Sequence, residues 1–153
     1  MSYKLDVVIL TVLQEEYDAV CNKLSDLQLW PDDEGTNLYA WRIGTIPWPE
    51  KRCSYSLAVG KIGRAGNSQS TAATLEAIKL WQPRYIFLVG VAGGLSGMTK
   101  GDIVIADVIH GYEYGKIEIG FNSRSDWTFK TDIGLRNGAE THAHIIVGEI
   151  SYA

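Results

Sequence analysis

The strongest constraint on what this chain can fold into is one continuous unit in its middle. Residues 54–59 form an apolar, β-prone run that meets Gly60-Lys61-Ile62-Gly63-Arg64-Ala65-Gly66. A helical stretch to about Trp81 follows, Pro83 closes it, and Tyr85-Ile86-Phe87-Leu88-Val89 is a second apolar run. Strand, crossover helix and strand in so short a span favour a right-handed βαβ unit with parallel strands, because a tight hairpin cannot join parallel strands. Ala72, Leu75 and Ile78 recur at helical spacing and are the expected buried stripe. An α/β fold of three layers (αβα) with a mixed central sheet is therefore expected, and a length of 153 residues suits one domain.

The flanking segments extend this frame. Leu5-Asp6-Val7-Val8-Ile9-Leu10 is nearly continuously apolar, as in a strand buried on both faces. Residues 7–10 and the strand over 85–89 are both expected to be central and flanked by helices. Thr11 and Gln14 have capping-box spacing, which predicts a helix over about 12–25 with Tyr17, Val20, Cys21 and Leu24 on its inner face. Residues 37–43 and 53–59 read as strands, and Pro47-Trp48-Pro49 between them as a loop. Residues 102–109 read as a sixth strand and His144-Ile145-Ile146-Val147 as the last.

Composition excludes several functions. Fourteen Lys and Arg against eighteen Asp and Glu leave a net charge of −4. Such a surface offers no electrostatic footprint for nucleic acid or an anionic membrane. The apolar run over residues 7–13 is too short to span a bilayer and carries no cleavage signature, so a cytoplasmic protein is expected. The two cysteines, Cys21 and Cys53, make neither a disulfide framework nor a metal motif. His142 and His144 form an H-x-H pair without a third ligand, and His110 is isolated. Ser68 and Ser70 lack a His/Asp constellation. Trp30, Trp48 and Trp127 sit in loop-like contexts, where a rim or an oligomer contact is as plausible as core packing.

Two features carry chemistry. Gly90-Val91-Ala92-Gly93-Gly94-Leu95-Ser96-Gly97 follows a strand, where ligands of open α/β sheets settle, and its glycines allow close backbone approach. Its spacing matches neither the dinucleotide nor the P-loop motif, and a purely structural turn stays open. Glu15 and Glu16 follow the first strand within the first helical turn. Each alone reads as a charge complementing the helix dipole, yet their place puts one within reach of the crevice beyond the strand, and at most one should point inward.

Read in order, several segments resemble the purine nucleoside phosphorylase/uridine phosphorylase superfamily, nearest its 5′-methylthioadenosine/S-adenosylhomocysteine nucleosidase-like branch. They are Val8-Ile9-Leu10-Thr11-Val12-Leu13-Gln14-Glu15-Glu16, Gly60-Lys61-Ile62-Gly63-Arg64-Ala65-Gly66-Asn67, Val89-Gly90-Val91-Ala92-Gly93-Gly94-Leu95, Lys100-Gly101-Asp102-Ile103-Val104-Ile105-Ala106-Asp107 and Gly111-Tyr112-Glu113-Tyr114-Gly115. The resemblance implies a nucleoside phosphorylase-like fold and cleavage of the base–sugar bond of adenine nucleosides or nucleotides, with no cofactor. It implies that Glu16 orients the attacking water, that Val91, Ala92 and Gly93 line the base and sugar pocket, and that Ile62 and Gly63 belong to a loop near the sugar. Tyr114, and with it Tyr152, would line the remaining pocket.

Two departures shape that expectation. Where phosphorylases of the superfamily carry a phosphate loop and an arginine, this chain reads Thr11-Val12-Leu13-Gln14 and Leu88-Val89, so hydrolysis is favoured over phosphorolysis. The family also continues through a ribose-binding Met-Glu segment and an Asp that protonates the purine. Neither follows here, which implies that the C-terminal part of the family fold is missing, in a fragment or a shortened relative. An incomplete site within one subunit and a homodimer or higher homo-oligomer are then expected. An effector portion of a larger protein, an inactive purine-binding or sensor module, and a phosphate-dependent phosphorylase are the other readings.

Overall fold

The computed structural model describes residues 4–31, 35–64, 66–93, 97–106, 108–110 and 128–130. The chain divides into two compact units, Met1–Gly93 and Gly94–Ala153. The first holds a five-stranded mixed sheet and two helices. In chain order these are β1 (Val7–Thr11), α1 (Gln14–Cys21), β2 (Ser25–Leu29), β3 (Trp41–Trp48), β4 (Cys53–Lys61), α2 (Asn67–Trp81) and β5 (Tyr85–Leu88).

The sheet runs β2-β3-β4-β1-β5. β1 lies parallel to both β4 and β5, with Val8 opposite Ala58 on one side and Ile86 on the other. The crossover unit expected from the sequence is thus present, with β1 inserted between its two strands. β5 closes the order rather than lying inside it, a correction to its expected central place among the described residues. β2–β3 and β3–β4 are antiparallel.

The two helices lie on opposite faces. Ala73, Ala77 and Trp81 of α2 cluster with Val8, Leu10, Trp41, Ile43 and Ala58, which share one side of the pleat. Arg42 alternates to the other side. There its charge acts on Tyr17 and Cys21 of α1. Trp81 meets Trp41 edge to face at 5.1 Å and Trp30 at 5.4 Å, so Trp30 belongs to the packing rather than to a rim. Glu76 ties α2 to the start of β3 by accepting from Trp41 Nε1–H at 2.7 Å and Leu38 N–H at 2.8 Å.

The face of α2 differs from expectation. Leu75 is 61% and Ile78 44% exposed, while Ala73 and Ala77 are buried. Alanines let the helix axis approach the sheet, and the indole of Trp81 fills the space at its end. Gln82 caps α2 in a left-handed conformation, its N–H bonded to the Ile78 carbonyl just before Pro83.

Other boundaries move as well. Thr11 is the last residue of β1 and fully buried, so it cannot cap a helix; Leu13 holds the N-cap position and α1 ends at Cys21. β2 was not expected. Pro47 and Trp48 belong to the end of β3, opposite Ser54 and Cys53, because antiparallel pairing near a hairpin end tolerates a proline. A short 3-10 turn, Pro49–Lys51, joins β3 to β4. Trp48 stacks on Tyr55 at 5.3 Å with Lys51 over its ring.

In the second unit, β6 (Val108–His110) pairs antiparallel with β7 (Thr128–Lys130). The strand expected over 102–109 is thereby reduced, since residues 102–106 form a connection. Asp102 folds back on Thr99, accepting from its N–H at 2.8 Å and its hydroxyl at 2.9 Å. The strand over 144–147, His142, His144, Trp127, Tyr114 and Tyr152 lie outside the described residues.

Candidate functional site

The three parallel strands end at one edge of the sheet, and the segments leaving them are stitched together. The Ile62 N–H donates to the Thr11 carbonyl at 2.8 Å, and the Val89 N–H to the Leu10 carbonyl at 2.9 Å. The turn after β1, the loop after β4 and the loop after β5 thus leave the sheet side by side. This is where the carboxyl ends of an open α/β sheet gather a ligand.

Glu16 sits at the third position of α1, and its carboxylate turns back across the helix start. Oε2 accepts the Leu13 N–H at 2.8 Å and the Val12 N–H at 3.0 Å; Oε1 accepts the Val91 N–H at 2.7 Å. Leucine offers no capping oxygen, and Glu16, as the third residue of α1, supplies the half of a capping box that reaches back to the N-cap N–H. Glu16 is only 9% exposed, whereas Glu15 faces solvent. One carboxylate of the pair points inward, as expected.

The backbone N–H of Leu13, then that of Val91, holds the Glu16 carboxyl below the ordinary carboxylate range; burial opposes them, and Val12 adds a smaller push the same way. Three of about four acceptor positions on a carboxylate are occupied. Among the described residues, one position on Oε1 is left for a water or a ligand hydroxyl. The group is therefore a fixed anion, suited to accepting a hydrogen bond and stabilising adjacent positive charge.

The other expected site residues divide by environment. Val91, Ala92 and Gly93 are exposed, with Val91 at 85%, and begin immediately beyond Glu16. Gly63 is exposed with φ +78°, a left-handed turn that favours glycine. The Ile62 side chain lies in the hydrophobic core and its N–H is taken by Thr11, so it fixes the loop from beneath. Lys61 Nζ bonds Gln14 Oε1, and Gln14 Nε2 donates to Asp18 Oδ1 at 2.8 Å, which leashes a cation to the α1 side of this edge.

Gly90 is a residue sequence reasoning left without a role of its own. A β-carbon there would lie 2.7 Å from Glu16 Oε1 and 3.0 Å from its Cδ. No sequence signal marks this, because Glu16 meets this loop only in the folded sheet, its bond from the adjoining Val91 spanning 75 positions.

Elsewhere the site chemistry is thin. Burial pushes the Cys21 thiol up, which disfavours it as a nucleophile, and Cys53 is free and exposed. Among the described residues no group of three or more His, Cys, Asp or Glu is placed to hold a metal. Nor, among them, is any helix long and apolar enough to cross a membrane. A hollow of about 430 Å³ opens by Trp30, Leu38 and Tyr39, between the end of β2 and the start of β3, and no Asp, Glu, His, Lys, Arg or Cys lines it.

Known proteins bear on this arrangement. Among curated protein sequences none matches this chain. The fold recurs in solved 5′-methylthioadenosine/S-adenosylhomocysteine nucleosidases. That of Colwellia psychrerythraea 34H, in complex with adenine, is 18% identical with a TM-score of 0.69, over 90% of this chain and 55% of its own. That of Neisseria meningitidis, in complex with methylthio-immucillin-A, is 16% identical with a TM-score of 0.72, over 92% and 58%. That of S. pneumoniae, with a transition-state inhibitor, is 19% identical with a TM-score of 0.65, over 85% and 54%. This chain therefore spans little more than half the length of those proteins. The family model for the phosphorylase superfamily matches residues 6–151, nearly the whole sequence, and the chain belongs to that superfamily.

Proposed function

We propose that this chain carries part of the site of a nucleosidase that hydrolyses the base–sugar bond of adenine nucleosides or nucleotides. The observation that carries the reading is the Glu16 carboxylate, held ionised where the turn after β1 meets the glycine loop after β5. Cleavage of an N-glycosidic bond builds positive charge on the sugar ring, and a preorganised anion stabilises such charge without reorganising. With one acceptor position left, Glu16 orients a water toward the anomeric carbon. Its lowered pKa keeps it an acceptor at neutral pH, so it works by orientation and charge more than by taking a proton.

Val91, Ala92 and Gly93 present exposed backbone beside that carboxylate, fit to line a flat base and its sugar. Gly63 sits in the neighbouring loop, with open space where a β-carbon would stand. The relatives named above support adenine as the base, since one was solved with adenine and another with methylthio-immucillin-A. Tyr114, a homodimeric or larger assembly, and a cytoplasmic location belong to the same proposal. The experiment is to incubate the protein with methylthioadenosine, S-adenosylhomocysteine, adenosine, AMP and ATP, with and without phosphate, and to measure free adenine. Release without phosphate is expected; strict phosphate dependence would make the chain a phosphorylase.

A second reading is a purine-binding module without turnover. It is favoured by the three backbone donors on Glu16, which tie the carboxylate into the framework as firmly as into any reaction. Ligand binding without release of adenine distinguishes it.

A further inference from the structure

We propose that Gly90 is a positioning residue for Glu16: its bare α-carbon is what lets the Val91 N–H close on the carboxylate and hold it in one orientation. The inference rests on the reading of Glu16 as the site's anion. A β-carbon at position 90 would stand 2.7 Å from Oε1, 3.0 Å from Cδ and 3.2 Å from Oε2, all inside ordinary contact. A carboxylate at the end of a free, flexible side chain would simply retreat. This one is bound by N–H groups of Val12, Leu13 and Val91 at 2.7–3.0 Å, and any retreat from residue 90 lengthens the Val91 bond first.

The backbone does not confuse the argument. Gly90 is not among the glycines with positive φ, so alanine meets no conformational penalty there. What alanine meets is the carboxylate. Gly90 therefore differs from Gly63 and Gly66, whose φ of +78° and +143° ask for glycine although a β-carbon there would meet nothing. In the loop after β5 the requirement is for space beside an anion, and its consequence is that the position of Glu16 and the path of the exposed loop segment 91–93 are set together. Pushing one moves the other.

The test uses the full chain with Gly90→Ala and carbon-13 labelled glutamate. In the parent the Glu16 carboxyl should titrate below the ordinary range, because Leu13 and Val91 donate to it. In Gly90→Ala its midpoint should rise toward the usual value of about 4.3. Adenine release should fall roughly 10- to 100-fold in kcat with KM little changed, since a displaced catalytic group loses on the order of 10²-fold per ångström. An unmoved Glu16 resonance in a folded Gly90→Ala protein overturns the proposal. Should Gly90→Ala fail to fold, the same change is made in a Glu16→Asp background, where the shorter side chain vacates the space. Recovery of folding there supports the clamp, and equal damage in both backgrounds refutes it. A parent protein that releases no adenine sinks the nucleosidase reading alone, because the titration still decides the clamp.

Discussion

Glu76 offers a test of what holds α2 on the sheet. Its carboxylate accepts from the Trp41 indole N–H at 2.7 Å, the Leu38 N–H at 2.8 Å and the Tyr39 N–H at 3.3 Å. These three are unequal. Trp41 is 1% exposed, so its N–H has no access to water, whereas Leu38 is 73% exposed and recovers a water bond at once. Glu76→Ala should therefore cost what an abandoned buried donor costs, about 1–3 kcal/mol. For a chain of this size that lowers Tm by roughly 2–4 °C per kcal/mol. Glu76→Gln keeps a carbonyl oxygen for the indole and should lose less than about 1 kcal/mol. Urea unfolding followed by circular dichroism measures both, and Trp41→Phe completes a double-mutant cycle. With the donor gone, Glu76→Ala should become nearly neutral, leaving a coupling of about 1–2 kcal/mol. A Glu76→Ala protein within about 0.5 kcal/mol of the parent at unchanged m, or the same loss in the Trp41→Phe background, would refute the assignment.

Four further outcomes are expected. Glu16→Gln should lower adenine release by a factor on the order of 10²–10⁴, while Glu15→Gln, on the solvent side, changes it little; equal small effects would return Glu16 to a purely structural role. The stability difference between parent and Glu16→Gln should be full above the ordinary carboxylate pKa of about 4.3 and shrink as pH falls through the lowered folded value, because Leu13 and Val91 stabilise only the ionised form; urea midpoints taken across pH 3 to 7, roughly, would show a flat difference if this is wrong. Gly60→Ala should destabilise by about 1–3 kcal/mol, since its β-carbon would stand 2.7 Å from Cε3 of the buried Trp41; an unchanged urea midpoint would mean that the ring shifts freely. Sedimentation should find the chain as a dimer or larger, with Leu75 and Ile78 exposed on α2 as surface to cover, and a monomer at micromolar concentration would count against it.

What could be read in the sequence followed where local pattern and burial agree. β1, β4, α2 and β5 announce themselves through apolar runs broken by glycine and proline, because these elements are buried on both sides or end sharply. β2 does not: Ser25, Asp26, Gln28 and Leu29 are exposed and Asp26 has a positive φ, so an edge strand with a register shift leaves no alternation to find. The α2 stripe is not legible from residue size, because small alanines face the sheet where a leucine would hold the helix away. Glu16 was legible by its place after a strand, yet its partners were not. Leu13 gives no capping signal, and Val91 reaches it only through the folded sheet. The roles of Val91, Ala92, Gly93, Ile62 and Gly63 came from family likeness, since glycine spacing alone fits an ordinary turn equally well.

The insertion of β1 between β4 and β5 bears on how the chain reaches its fold. β3 and β4 adjoin across a short turn and can zip as soon as both exist. β1 cannot. Asp6, just ahead of it, binds Ser56 across fifty residues, and the β5 register lies farther still along the chain. On a ribosome β1 is made before either of its neighbours, and Val7, Val8 and Leu10 stay uncovered until β4 and then β5 emerge. Closing so long a loop is slow compared with forming a hairpin. β1 is therefore a segment in need of protection while it waits, and the site's carboxylate, carried on the helix directly behind it, gains its Val91 partner only once β5 has been made and docked beside β1.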